Sequence, residues 1–169
     1  EAAQLASGHA PGLLSPDFGF QRWPDFNNTI WRDLLEEARS AQRDLPANLI
    51  YGSDRDKRAV EMARRNAESA GIGAKIRWSY SDFAKLEAPA DHGTLICNPP
   101  YGERIGEEAE LEAFYRKIGD TLKQNWKGWT AWVFTGNLAL AKRVGLKPSR
   151  RIVLFNGPIE CRLLKFDQY

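Results

Sequence analysis

The residues Asn98-Pro99-Pro100-Tyr101 are the clearest sign of chemistry in the sequence, because they directly follow an apolar segment, Thr94 to Cys97, that is typical of a buried strand. Two consecutive prolines fix the backbone and donate no backbone hydrogen bond, so the carbonyl groups and the Asn98 amide are held in a preset arrangement. Fixed acceptors at the end of a strand suit a substrate that presents N–H groups. The competing interpretation is a proline-rich turn that only ends the strand.

An exocyclic amino group of a nucleic-acid base is such a substrate. Its nitrogen lone pair is delocalised into the ring, so the nitrogen is a poor nucleophile toward a methyl donor unless acceptors on its two N–H bonds localise that lone pair. We expect the side-chain oxygen of Asn98 and the carbonyl of Pro99 to be these acceptors, with Pro100 keeping the loop rigid. The ring of Tyr101 offers a flat face for a base that is pulled out of its helix. The motif therefore predicts methyl transfer to an amino group.

Strand-like and helix-like segments alternate along the chain, which favours an α/β domain with a mainly parallel sheet. Asp56 is a typical N-cap for the helix after the first strand, and Gly71 ends that helix. The predicted strands are Asn48 to Ser53, Lys75 to Tyr80, Gly93 to Cys97 and Trp129 to Thr135, and a second helix runs through Leu111, Phe114, Ile118 and Leu122. Polar or proline-rich residues follow the strands at their carboxyl ends, where such sheets bind ligands.

The end of the chain predicts an antiparallel hairpin. Two strand-like runs, Arg151 to Phe155 and Ile159 to Phe166, flank the dipeptide Asn156-Gly157, which is a strong hairpin signal. Pro158 follows at once and leaves the type of turn open. A parallel sheet that ends in such a hairpin is the architecture of the Rossmann-like class I methyltransferases, although a fold alone does not give a function.

The beginning of the chain departs from this pattern, because an α/β domain is expected to open with a strand. Residues 9–26 have the prolines and glycines of a long irregular connection, and a helix is expected from about Thr29 to Ala41. We therefore expect that the sequence begins inside a helix whose preceding strand and loop are missing from it. Residues 1–169 are then one methyltransferase catalytic domain that is incomplete at its N-terminus.

Composition limits the class of protein. The 169 residues, of which 43% are hydrophobic, suit one globular domain with a single core. No apolar run approaches the roughly 20 residues of a membrane span, and the first residues do not resemble a signal peptide, so a cytoplasmic protein without a membrane partner is expected. Cys97 and Cys161 show no metal-ligand spacing with His9 or His92, so no metal site is expected. A net charge of +2 leaves contact with nucleic acid open.

The residues around the motif resemble those of the ribosomal RNA large-subunit guanine-N2 methyltransferases. The similarity includes Gly102-Glu103-Arg104 after the motif, Tyr51 to Asp54, Ala63 to Ala67 and Asn156 to Cys161, and it extends over essentially the whole chain. This resemblance implies methylation of guanine N2, with S-adenosylmethionine as the cofactor and ribosomal RNA as the substrate. It also implies a THUMP-type RNA-binding domain elsewhere in the full polypeptide.

The same resemblance assigns the cofactor-binding residues. Asp54, at the end of the first predicted strand, would hold the ribose of S-adenosylmethionine, as a carboxylate does in dinucleotide-binding folds, whereas Asp56 is better explained as the helix cap. Asp82 would bind the adenine amino group and Phe83 would form the apolar wall beside that ring; a helix cap with a core aromatic is the competing interpretation of this pair. The glycine-rich loop that binds the methionine end is not among the residues, and Glu1-Ala2-Ala3 match the helix start that follows this loop in the family.

Other residues have weaker predicted roles. Arg104 is expected on the substrate side of the motif. A locally basic stretch near the end of the chain consists of Lys142, Arg143, Lys147, Arg150 and Arg151. Such a stretch is compatible with contact to an RNA backbone and equally with a solvated surface. Trp23 and Trp31 are expected to pack rather than to bind a ligand.

Three alternatives to guanine methylation stay open. The same four-residue motif is used by DNA methyltransferases that methylate adenine N6, which is the first alternative. The second is methylation of glutamine side chains in proteins. The residues after the motif and the predicted hairpin favour the ribosomal RNA family by resemblance alone. The third alternative is not an enzyme: the chain would be a non-catalytic remnant of such a domain that only binds RNA.

Overall fold

The computed structural model describes residues 1–15, 17–46, 49–102 and 108–169. Its contacts divide the chain into two compact units, Glu1–Ser81 and Asp82–Tyr169. Strands and helices alternate within both, as the sequence predicts for an α/β protein. None of the helices in the described ranges is long and apolar enough to cross a membrane.

Two helices open the first unit. These are α1 (Ala2–Ser7) and α2 (Asn28–Ser40), and α2 lies close to its predicted bounds. The irregular connection between them contains two short 3₁₀ turns. Trp31 packs edge-on against Phe20, with ring centroids 5.1 Å apart, so its predicted packing role is confirmed; Trp23 contacts the same ring at 6.5 Å but is 64% exposed.

A parallel strand pair forms the rest of this unit. β1 (Ile50–Asp54) and β2 (Ile76–Tyr80) pair in parallel and are connected by α3 (Lys57–Ser69). The side chain of Asp56 accepts a hydrogen bond from the backbone N–H of Arg58 at 2.8 Å, which confirms the predicted N-cap. The first strand was predicted from Asn48, and residues 47 and 48 lie outside the described residues.

The second unit contains a four-stranded sheet in the order β3-β4-β6-β5. β3 and β4 are parallel, whereas β6 is antiparallel to both β4 and β5. The elements of this unit are β3 (Gly93–Cys97), α4 (Glu108–Asn125), β4 (Trp129–Thr135), α5 (Leu138–Arg143), β5 (Arg150–Asn156) and β6 (Ile159–Asp167). The predicted bounds of β3 and β4 agree with the structure, while the sequence did not predict α5.

The core of the second unit lies between α4, α5 and one face of the sheet. Its largest fully buried side chains include Tyr115, Phe166, Ile118, Leu122 and Val133. The two helices approach each other closely at Gly119, where a Cβ would lie 1.7 Å from the carbonyl oxygen of Val144. Only glycine fits this contact, which holds the C-terminal end of α5 against α4.

The predicted hairpin is present, but its loop is displaced by one residue. Asn156 pairs with Ile159, so the loop consists of Gly157 and Pro158 rather than Asn156 and Gly157. The φ of +59° at Gly157 and the fixed negative φ of proline match a type II′ turn, whereas the type I′ turn typical of Asn-Gly needs a positive φ at both positions. The displacement leaves Asn156 as the last residue of β5.

Candidate active site

The motif residues Asn98 to Tyr101 leave the carboxyl end of β3 beside the end of β4. Cys97 is the last residue of β3 and pairs with Val133, two residues before β4 ends. Pro99 is buried, whereas Asn98 is exposed. The loop therefore has a buried proline and an accessible amide at the carboxyl end of the strand, where such sheets bind ligands, and the acceptor role of these residues stays a prediction.

Tyr101 is held by two segments whose role the sequence analysis did not identify. Asn156 at the end of β5 donates a hydrogen bond from Nδ2 to Tyr101 Oη at 2.8 Å, and Asn137 donates from Nδ2 to the Tyr101 carbonyl at 3.5 Å. The ring passes so close to Gly136 that a Cβ there would lie 3.0 Å from Tyr101 Cε2. Contacts from the hairpin and from the β4–α5 connection thus position both the ring and the backbone of Tyr101.

Asn137 connects helix α5 to the motif. Its Oδ1 accepts hydrogen bonds from the backbone N–H groups of Ala139 and Leu140, both at 3.0 Å, and so caps the helix. Because the oxygen is used in this way, the amide nitrogen faces the Tyr101 carbonyl. An Asn between a strand and an apolar run is an N-cap signal, so the sequence could have indicated this residue. Asn156 gives no such signal, since its partner lies 55 positions away.

Two neutral groups lie next to the motif in the core. Burial raises the pKa of Tyr115 to about 12, although its hydroxyl bond to Thr135 at 2.8 Å acts in the opposite direction. Burial also raises the pKa of the Cys97 thiol to about 12. Both groups are protonated near pH 7, so Cys97 offers no thiolate nucleophile beside the motif.

Asp54 lies at the carboxyl end of β1, where a ligand-binding carboxylate is expected. Its Oδ1 accepts a hydrogen bond from the backbone N–H of Asp56 at 2.8 Å, and its backbone carbonyl accepts one from the N–H of Ser81 at 3.0 Å. These bonds fix the residues that follow β1 and β2. The side chain is exposed and accessible to a ligand.

Asp82 and Phe83 have the geometry of a helix cap followed by a core aromatic, which is the competing interpretation of this pair. Asp82 Oδ1 accepts a hydrogen bond from the backbone N–H of Ala84 at 2.9 Å and caps the short 3₁₀ turn Phe83–Lys85. Phe83 is half-buried and packs against the core of the second unit. A carboxylate has two oxygens that accept hydrogen bonds, so the cap is compatible with a second contact. The cofactor role of this pair stays a prediction.

The predicted site residues are divided between the two units. Asp54 belongs to the first unit, and Asp82, Phe83 and the motif belong to the second. Glu103 and Arg104 lie outside the described residues. In the part of the chain that the structure describes, no group of three or more His, Cys, Asp or Glu side chains is arranged to hold a metal ion.

Comparison with known proteins shows to which family this chain belongs. The model of the protein family described as "RMKL-like, methyltransferase domain" matches residues 1–165. The Ribosomal RNA large subunit methyltransferase K/L of Syntrophotalea carbinolica is 42% identical over 175 residues, which take in 99% of this chain and 24% of that protein. The resemblance that the sequence indicated is therefore confirmed.

Two crystal structures are similar to this chain, both at 28% identity and over 99% of its length. One is SMU.472 in complex with SAH, with a TM-score of 0.90 over 44% of that chain. The other is described as a predicted N6-adenine-specific DNA methylase from Listeria monocytogenes, with a TM-score of 0.86 over 43% of that chain. This chain thus spans less than half of each of these relatives, and the predicted methyltransferase fold is confirmed. The chain belongs to the RMKL-like methyltransferase domain family.

Proposed function

We propose that this chain is the catalytic part of an enzyme that methylates guanine N2 in large-subunit ribosomal RNA. The observation that carries the proposal is the exposed Asn98 amide on a loop fixed by the buried Pro99, beside the anchored ring of Tyr101. The name of the Syntrophotalea relative supports ribosomal RNA as the substrate. The chain spans 24% of that relative, and the family resemblance adds to the proposal an RNA-binding domain of the THUMP type elsewhere in the polypeptide.

S-adenosylmethionine is the methyl donor in this proposal. The similar structure SMU.472 is in complex with SAH, which is S-adenosylmethionine without its transferable methyl group. The exposed carboxylate of Asp54 fits the two hydroxyl groups of a ribose. Asp82 and Phe83 fit the amino group and the apolar face of an adenine ring. When bound, S-adenosylmethionine supplies a methyl group on a positively charged sulfur.

The motif makes the guanine amino group a better nucleophile. The Asn98 side-chain oxygen and the Pro99 carbonyl accept hydrogen bonds from its two N–H groups and localise the lone pair on the nitrogen. Tyr101 keeps the base flat by stacking. As the nitrogen forms a bond to the methyl carbon, the carbon–sulfur bond of the donor would break to leave a neutral thioether, and one N–H proton would pass to solvent. The pKa of about 12 keeps Cys97 a neutral thiol, which favours direct transfer without a cysteine-bound intermediate.

The identity of the methylated nucleoside tests the proposal. The full-length protein is incubated with labelled S-adenosylmethionine and either unmodified large-subunit ribosomal RNA or duplex DNA, and the products are digested to nucleosides. We expect N2-methylguanosine from the RNA. N6-methyladenine from the DNA would contradict the substrate and favour the activity named for the Listeria relative. RNA binding without methylation of either nucleic acid would support the non-catalytic alternative.

The variant Asp54→Ala is expected to weaken the binding of S-adenosylmethionine to the full-length protein. The substitution removes charge-assisted hydrogen bonds to the ribose, each worth about 1.5–3 kcal/mol at most. The dissociation constant should therefore rise by about tenfold or more. Calorimetric titration with S-adenosylmethionine measures the change.

The matched control is Asp56→Ala, which removes a carboxylate two positions away. This side chain caps α3 through Arg58, so the free energy of unfolding should fall by about 0.5–2 kcal/mol while cofactor affinity stays close to parental. An unchanged affinity in a folded Asp54→Ala variant would remove Asp54 from the cofactor site.

A further inference from the structure

The second unit contains a groove of about 410 Å³ between α5, the segment after it and the hairpin strands. Its floor is apolar, because Leu164 and Phe166 are buried beneath it and Leu138 and Leu146 contribute to its sides. Ligand-binding clefts typically have volumes of about 300–1,000 Å³. The groove is therefore large enough for a nucleotide.

The charged side chains that line the groove are all cationic. The charged residues that line it are Lys142, Lys147, Arg151 and Arg162, and none of the described residues along it is acidic. Arg162 forms an ion pair with Glu160 at 2.5 Å. Among the described residues, the other three cations have no ion-pair partner. Three cations from a helix, a loop and a strand thus converge on an apolar floor, which complements an anionic ligand with an apolar face.

The groove begins at the same edge of the sheet as the motif. Leu138 follows the end of β4 by three residues, and Arg162 pairs with Thr135, the last residue of β4. Asn98 leaves the neighbouring parallel strand at this edge. A strand of nucleic acid whose target base lies at the motif would therefore have a short route to the groove.

The hairpin provides an apolar surface along this route. Val153 pairs with Arg162 and so lies on the same face as the groove, and Phe155 follows two residues later on that face. The two side chains are 52% and 67% exposed. Phe155 is next to Asn156, which holds Tyr101. The combination of a cationic groove with an exposed aromatic side chain is typical of surfaces that bind single-stranded nucleic acid.

We propose that this groove binds the RNA strand next to the methylated nucleotide. Lys142, Lys147 and Arg151 contact backbone phosphates, a ribose or base packs on the apolar floor, and Phe155 stacks on an intervening base. This inference rests on the proposed function, because it assumes that the substrate is RNA. It assigns Lys142, Lys147 and Arg151 of the basic stretch to substrate binding rather than to a solvated surface, whereas Arg143 and Arg150 do not line the groove.

The test compares two triple variants of the full-length protein that lose the same charge. The groove variant is Lys142→Gln, Lys147→Gln and Arg151→Gln, and the control variant replaces three exposed cations outside the groove by Arg39→Gln, Lys117→Gln and Lys127→Gln. The dissociation constant for unmodified large-subunit ribosomal RNA and for duplex DNA is measured over a range of salt concentrations. The KM for RNA, the kcat and the affinity for S-adenosylmethionine are measured alongside.

For the groove variant, the dissociation constant for RNA should rise by about tenfold or more, and the salt dependence should weaken by roughly 0.7 per lost phosphate contact in a plot of log affinity against log salt. The KM for RNA should rise, while kcat at saturating RNA and cofactor affinity stay close to parental. The control variant should show smaller changes in both RNA affinity and salt dependence.

Three results would overturn the inference: unchanged RNA binding in the groove variant, an equal loss in the control variant, or a loss confined to duplex DNA. Failure of the proposed function is observed separately, because the parental protein would then form no N2-methylguanosine. In that case the groove is no longer assigned to the strand beside a methylated guanine, whatever RNA affinity the groove variant shows.

Discussion

Replacing Asn98 by alanine is expected to slow methyl transfer in a single turnover by about a hundredfold or more, the loss that is typical when one preorganised hydrogen-bonding partner is removed. The side chain is exposed, whereas the adjacent Pro99 is buried, so the substitution removes one acceptor without disturbing the anchor of the loop. The affinity for S-adenosylmethionine should be nearly unchanged, because the proposed cofactor residues Asp54, Asp82 and Phe83 are intact.

The measurement is rapid mixing of the enzyme, with labelled S-adenosylmethionine already bound, and saturating RNA. Asn28→Ala is a matched control, because it removes another exposed amide, at the first turn of α2 and outside the proposed site. This control should transfer the methyl group at the parental rate. A folded Asn98→Ala variant that also does so would rule out the proposed mechanism, whatever the family resemblance implies.

Features with local causes could be predicted from the sequence. The bounds of β3 and β4 follow from short apolar runs that begin and end abruptly, and they agree with the structure. The cap at Asp56 needs only the residues immediately after it, and it is also observed. The sequence missed α5 because six residues are too few to show helical periodicity.

The hairpin shows where a local rule is incomplete. Asn-Gly favours a two-residue loop in which both residues have positive φ, but Pro158 follows and has a fixed negative φ. The loop therefore takes Gly157 and Pro158, and Asn156 moves into the strand. This one-residue shift is what places the Asn156 side chain against Tyr101, so a small error in the turn concealed a contact in the candidate site.

The roles of the site residues depend on information that one sequence does not contain. The signal at Asp82 is the same for a helix cap and for a ligand of adenine, and the structure shows the cap. The contact between Tyr101 and Asn156 joins residues far apart in the chain, so no local pattern predicts it. Residue types and spacing thus identified the candidate chemistry, whereas the supporting contacts required the fold.

Replacing Tyr101 by alanine is expected to weaken substrate engagement, because the base loses its stacking surface. Stacking of a base on an aromatic ring is worth about 1–3 kcal/mol, which corresponds to a rise of about five- to 150-fold in the KM for RNA. The affinity for S-adenosylmethionine should change little. Steady-state kinetics with ribosomal RNA, together with calorimetric titration of the cofactor, measure the two effects. An unchanged KM for RNA would contradict stacking on Tyr101.

Tyr101→Phe keeps the ring and should therefore retain more activity than Tyr101→Ala, but it removes the acceptor for Asn156. If this bond orients the ring, Tyr101→Phe and Asn156→Ala should each lower kcat/KM for RNA by the effect of one hydrogen bond, about 0.5–1.5 kcal/mol. The double variant should then be no worse than either single variant, because both substitutions remove the same bond of 2.8 Å. Additive losses would show that Asn156 acts independently of Tyr101, and unchanged kinetics in both single variants would show that the ring is oriented by its contact with Gly136 instead.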